Sequence, residues 1–294
     1  MTEILGVPTQ ALFGQLLIGL INGSFYALLS LGLAVIFGLL NIINFTHGAQ
    51  YMMGAFAAYF LLNVTGLNYW WALVLGPLAV GASGIVAERL MLSRLYKLDH
   101  LYGLLLTFGL ALMIQGVFRN EFGSAGLPYP MPAQLSGGRN LGFMFLPNYR
   151  AWVIVASLLV CFGTWFVVER TRLGANLRAA TENPAMVQAF GVNVPRMITL
   201  TYGFGVALAG LAGVMAAPIY QVNPLMGADT IIVVFAVVVI GGMGSIMGAV
   251  VTGFGLGIVE GLTKVFYPEA SNTVIFVIMA IVLMIRPQGL FGSR

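Results

Sequence analysis

Long apolar runs alternate with short polar interruptions along this chain, and the runs set its architecture. A bilayer core takes about 20 apolar residues per helix. Runs of that kind lie at about 11–40, 49–62, 71–88, 101–118, 151–168, 197–218, 230–250, 252–266 and 273–286. The first is long enough to predict a tilted or broken helix, and the second, eighth and ninth are short. The pattern predicts an all-α polytopic membrane helix bundle of 8–10 transmembrane helices, built as one domain over residues 1–294. The longest interruption, Arg119 to Arg150, holds four prolines and five glycines, too many for a long helix. Its aromatics Phe122, Tyr129, Phe143, Phe145 and Tyr149 predict a cap against the outer membrane interface. Trp70, Trp71 and Trp152 fall at run ends, where an interfacial aromatic belt belongs.

Composition strengthens this picture. Charged residues make up 7% of the chain and hydrophobic ones 60%, whereas soluble domains carry about 25% charge. The 38 glycines suit membrane helices whose backbones approach closely. Cys161 is the sole cysteine, so no intrachain disulfide forms and the redox compartment leaves no mark. The first basic residue is Arg89; without a basic n-region, a cleaved signal peptide is not expected. The remaining cations divide by position. Arg89, Arg94, Lys97, Arg170, Arg172, Arg178, Arg196, Arg286 and Arg294 cluster in connectors that the positive-inside rule puts in the cytoplasm. Arg119, Arg139, Arg150 and Lys264 fall in connectors on the other side. The C-terminus is then cytoplasmic and, with nine spans, the N-terminus is outside.

One polar stretch stands apart, "RAATENPAMVQAFGVNV" at 178–194. Asn183 is a good N-cap and Pro184 suits the first helical position. Gly191 suits the C′ position, and Pro195 blocks extension. About seven residues of helix result, too few to persist unpacked in water. Met186 and Phe190 are four apart and share a face, with Val187 beside them, which predicts a small apolar knob. The knob either rests on its own bundle or docks into a groove on a cytoplasmic partner.

"TENPAMVQAFGVNV" resembles the cytoplasmic coupling loop of permease subunits in ATP-binding-cassette importers for branched-chain amino acids. "GLAVIFGLLNIINFTHGAQYMMGAF" at 32–56 is similar to that family's N-terminal signature. "VVVIGGMGSIMGAVVTGFGLGIVE" at 237–260 resembles its C-terminal glycine-rich signature, and "IRPQGLFG" at 285–292 its usual ending. The resemblance covers nearly the whole chain, is to the shorter of two partner permeases, and implies a multi-pass protein of the bacterial inner membrane. It implies a second permease subunit as heterodimer partner, two cytoplasmic ATP-binding subunits and a periplasmic solute-binding protein. It also implies a coupling loop at about 171–196, with Arg178, Glu182, Ala185, Met186, Phe190 and Gly191 meeting the ATPases. The Glu-Ala-Ala motif of the wider importer class survives only in degenerate form, as Glu182, Ala185 and Gly191. The chain agrees with this division of labour. A phosphate-cradling loop needs G-x-x-x-x-G-K-[ST], and neither lysine, Lys97 nor Lys264, follows a glycine. No cofactor is expected on this chain; ATP is expected to be hydrolysed by the partners.

Two further patterns bear on the path. In "NIINFTHGAQ", Asn41, Asn44 and His47 recur every three residues, with Thr46 and Gln50 nearby. Polar groups between apolar runs leave the lipid or line a cavity, so this stretch is either a polar turn or a wall of the translocation path. "IGGMGS", with Gly241, Gly242 and Gly244, is either ordinary packing or a helix break that exposes backbone to a solute. Small residues also line 203–213 and recur as Gly244 with Gly248 and Gly257 with Gly261, which lets helix backbones touch.

The function expected is the translocation path of an ATP-driven importer for branched-chain or related amino acids. The alternative is a stand-alone secondary carrier or channel, which would bury ionisable residues mid-span. Of the nine acids, all but Glu260 fall in connectors or at span edges, and Glu260 itself is expected near a helix end. No metal-spaced cluster and no acid–base or nucleophile set is present, so no enzyme chemistry is expected.

Overall fold

The computed structural model describes residues 3–4, 7–40, 43–96 and 98–292. Eleven α-helices are present among them: α1 Thr9–Leu40, α2 Thr46–Thr65, α3 Tyr69–Leu90, α4 His100–Phe122, α5 Asn148–Arg170, α6 Arg172–Glu182, α7 Pro184–Ala189, α8 Val194–Ala216, α9 Met226–Gly241, α10 Ile246–Phe266 and α11 Val274–Ile285. Six of them (α1, α3, α4, α5, α8 and α10) are long and apolar enough to cross a membrane. Each apolar run is met by a helix, the seventh being interrupted at 242–245. Two small antiparallel pairs complete the secondary structure, β1 Glu3–Ile4 with β2 Val7–Pro8 and β3 Gly138–Asn140 with β4 Phe145–Pro147.

Polar caps punctuate the apolar runs. Asn68 accepts from the Trp70 and Trp71 amides to start α3, Asp99 from Leu101 to start α4, and Ser245 from Gly248 to start α10. Each cap satisfies amides that have no partner within the helix. At the other end of α2, Gly66 adopts φ 69° and its amide bonds the last turn, a left-handed closure that glycine makes without strain.

α1 and α8 form the centre; α3, α4 and α5 turn most of their surface outward. Glycine decides how close the centre comes. α1 runs against α10, and a Cβ on Gly23 would lie 3.0 Å from the Phe254 Cα. α2 meets α8 at Gly54, where an added Cβ would lie 2.7 Å from the Gly210 Cα. Without a solvent difference to drive association inside a bilayer, such backbone approach is a principal source of packing energy.

The structure adds to the sequence pattern in three places. Of the tilted or broken alternatives for the first run, α1 is unbroken over 32 residues, and its Gly19, Gly23 and Gly32 face the backbone of α10 and α8. The seventh run ends at Gly241, not near 250. Gly242 at φ 100° and Gly244 at φ 85° turn the chain there, a conformation costly for residues with a Cβ. The segment 171–196 contains a second helix, α6, that precedes α7.

The two ends of the bundle differ in charge. Glu88 of α3 bonds Thr199 of α8, and Arg178 of α6 bonds Val168 of α5. These contacts gather Arg89, Arg94, Arg170, Arg172, Arg178 and Arg196 at one end. The other end carries residues 123–147, whose Phe143 ring meets Phe13 at the start of α1. There Tyr149 is buried with its hydroxyl 2.8 Å from the Met215 carbonyl and 2.9 Å from the Tyr69 hydroxyl.

Candidate functional site

At the arginine-rich end, α6 and α7 form a small platform on the bundle. Asn183 caps α7 by accepting from the Met186 amide at 3.0 Å. Gly191, at φ 83°, ends the turn and donates to the Gln188 carbonyl at 2.9 Å. Val187 turns inward and packs with Ala180 and Val194. It therefore anchors the helix and does not belong to the outward knob. Met186 and Phe190 are 58% and 79% exposed. The short helix thus rests on its own bundle by one face and presents an unpartnered apolar pair on the other. Ala185 and Glu182 are exposed beside that pair. Arg178 lies elsewhere. Its guanidinium donates to the Val168 carbonyl at 2.5 Å and pairs with Glu169 at 3.4 Å. It latches α6 to the last carbonyls of α5, where positive charge is favoured.

The polar stretch before α2 is partly placed. Asn41 lies outside the described residues. Asn44 is buried, donates to Gln50 at 3.2 Å and accepts from the Thr46 amide at 3.1 Å. Thr46 donates to the Thr107 carbonyl of α4 at 2.7 Å. His47 is fully buried, with Nε2 3.0 Å from the Leu29 carbonyl of α1. These groups sew the start of α2 to α1 and α4 in the interior.

The "IGGMGS" break is enclosed rather than open. The Leu290 amide donates to the Ile240 carbonyl at 2.8 Å, and Phe291 to Gly241 at 3.1 Å. The C-terminal "GLF" thereby satisfies carbonyls that α9 leaves free at its end. Gly244 sits against Gly38 at the end of α1.

Two acids are buried: Glu88 in the last turn of α3, at the span edge where sequence puts it, and Glu260, which is not near a helix end as expected. Glu260 lies within α10, only 5% exposed. It accepts from Tyr26 at 2.8 Å and Asn22 at 3.2 Å on α1, and pairs with Lys264 one turn on. Lys264 is accordingly a helix residue, not a connector residue; i,i+4 spacing lets it reach the acid. Glu88 is 2% exposed and accepts from Tyr96 at 2.6 Å and Thr199 at 2.8 Å. Burial, and then the bond to Glu88, pushes the Tyr96 phenol well above its usual range. Glu88→Ala leaves two hydroxyls without their acceptor, an expected loss of about 2 kcal/mol. A drop in the thermal unfolding midpoint of the purified chain checks this, with a smaller drop for Glu88→Gln.

A polar cavity of about 280 Å³ lies deeper in the bundle, among α1, α2, α9 and the segment before α9. Sequence reading missed its residues. Asn22, four before Tyr26 in an otherwise apolar run, was the one local signal.

The chain matches known proteins over nearly its full length. Residues 15–283 match the family described as branched-chain amino acid transport system, permease component. The chain is 31% identical to the high-affinity branched-chain amino acid transport system permease BraD of Pseudomonas aeruginosa, covering 95% of each. It is 29% identical to the permease LivH of Escherichia coli, covering 95% of this chain and 94% of that one. It is also 29% identical to LivM of the same organism, covering 90% of this chain and 67% of that one. No solved structure matches it.

Proposed function

The chain belongs to the family of permease components of branched-chain amino acid transport systems, and on that premise we propose that it forms one half of the path of an ATP-driven importer in the bacterial inner membrane. A second permease resembling LivM is the other half. Two ATP-binding subunits engage the coupling loop at 171–196, which makes the arginine-rich end and the C-terminus cytoplasmic. A periplasmic solute-binding protein docks at the end carrying 123–147. ATP is hydrolysed by the partners, and no cofactor is bound here.

The observation that carries this reading is α7. Its inward face is secured by Val187, and Met186 and Phe190 stand exposed on the outward face. An apolar pair at the polar end of a membrane protein calls for a cover, and a rigid short helix there transmits a push to α5, α6 and α8. Neutral polar groups and helix ends suffice for a zwitterionic cargo, so few charges are needed along the path. Glu260, the acid an ion-coupled carrier would need, is held by three side chains.

The test is reconstitution. Assembled with its partners and binding protein, the chain supports leucine, isoleucine or valine uptake that requires ATP. In liposomes by itself it moves none of them under a proton or sodium gradient, and uptake in that second assay overturns the proposal.

A further inference from the structure

The segment 217–225 does not simply cross the end of the bundle. Val222 pairs with Leu127 through amide–carbonyl bonds of 2.8 and 2.9 Å. Tyr220 reaches inward and donates to Asn22 at 2.8 Å. Asn22 is more than three turns into α1, and the cavity beside it opens outward past the exposed Tyr220 and Asp229. Its size, about 280 Å³, is at the small end of ligand sites and suits a single amino acid.

Asn22, Tyr26, Tyr220, Asn223 and Thr230 around this space are hydrogen-bonded within the chain, whereas the Tyr51 and Asp229 side chains have no such bond among the described residues. Tyr51 is 3% exposed and lines the cavity, and its hydroxyl has no hydrogen-bond partner among the described residues. It is therefore free to donate to a ligand in the cavity. Asp229, in the first turn of α9, lines the same space and forms no ion pair among the described residues. Glu260 is already neutralised by Lys264, which leaves Asp229 as the free anion. Burial, with help from Glu260, raises the Tyr220 phenol to about 12. Phe25 and Met226 supply an apolar wall. The first amides of α9 are taken up locally, since Asn223 accepts from Leu225 and Leu225 from Ala228. The helix end itself is therefore not the anion donor.

We propose that this cavity, within the single subunit, holds an α-amino acid in zwitterionic form. Its ammonium faces Asp229, its carboxylate accepts from the Tyr51 hydroxyl, and its apolar side chain lies against Phe25 and Met226. The site rests on the reading of the chain as an amino-acid permease.

Equilibrium binding to the purified full chain in lipid nanodiscs tests it without the partners. Radiolabelled leucine, isoleucine and valine are the probes. The competitors are 3-methylbutylamine, which is leucine without its carboxylate, and 4-methylpentanoate, which is leucine without its ammonium. Saturable binding of at least one amino acid is expected, with each competitor weaker by roughly tenfold or more. Asp229→Asn, at an exposed position, weakens the amino acid roughly tenfold and leaves 4-methylpentanoate unchanged. Tyr51→Phe weakens the amino acid and 4-methylpentanoate together. No saturable binding of any of the three probes overturns the site, as does binding that neither substitution alters. An amine that binds as well as the amino acid overturns the zwitterion assignment. ATP-driven uptake by the assembled transporter despite any of these results leaves the permease reading standing, so the two failures are distinguishable.

Discussion

Phe190→Asp abolishes uptake by the assembled transporter and its association with the ATP-binding subunits, while membrane insertion and folding stay normal. Phe190 is 79% exposed and ends α7 without joining its inward packing. Replacing it therefore leaves the inward packing of α7 in place. A carboxylate carried into an apolar groove would be desolvated without a partner, a penalty of about 3 kcal/mol or more, over a hundredfold in affinity. Val187→Asp behaves differently. Val187 is 8% exposed and packs with Ala180 and Val194, so this substitution loosens the α6–α7 platform and lowers thermal stability as well. Co-purification of the ATP-binding subunits, uptake and a melting curve on the two variants separate docking from support. Wild-type uptake by Phe190→Asp would show that the exposed pair is not the contact.

Gly54→Leu is expected to destroy the folded chain, whereas Gly163→Leu leaves it intact. A Cβ at Gly54 would lie 2.7 Å from both the Cα and the carbonyl carbon of Gly210. Backbone stands opposite backbone there, so no flexible side chain can move aside, and Gly213 faces Gly54 in the same tight contact. Overpacking a core costs about 1–3 kcal/mol where neighbours can adjust. At this crossing a whole leucine forces α2 away from α8, and a loss above about 3 kcal/mol is expected, enough to use up much of a typical domain's stability. Gly163 on α5 has nothing within 4 Å of an added Cβ. Yield and monodispersity of detergent-purified variants give the readout. A stable Gly54→Leu protein would mean that α2 and α8 do not cross as described.

Local signals in the chain were strong where the backbone answers to its immediate neighbours in sequence. The apolar runs became helices, the seventh with a break at 242–245, because an unpaired amide or carbonyl in hydrocarbon is prohibitive. Asn183 and Gly191 capped α7 as their side-chain and backbone preferences require. The inward and outward faces were much less visible. Val187 looked like part of the knob because spacing places it next to Met186 without saying which way the helix lies. Glu260 and Lys264 looked like edge residues because charged side chains are costly inside a span, and the pairing that neutralises them is seen only in the folded bundle. The cavity residues Asn22, Tyr51, Tyr220 and Asp229 sit on four separate pieces of chain, and no spacing rule links them.

From its residues alone this chain was bound to be a membrane helix bundle with a short capped helix at its arginine-rich end, since scarcity of charge and helix capping act locally and strongly. Only the packed bundle decided which polar groups meet, which face of α7 is free and where α9 gives way to α10. The physical reason is that lipid and protein interior are nearly equally apolar. Helices here are hydrophobic all round, so the amphipathic stripe that would mark a buried face in a soluble protein is missing. The arrangement is settled instead by glycine-to-backbone fit and buried hydrogen bonds between residues far apart in the chain.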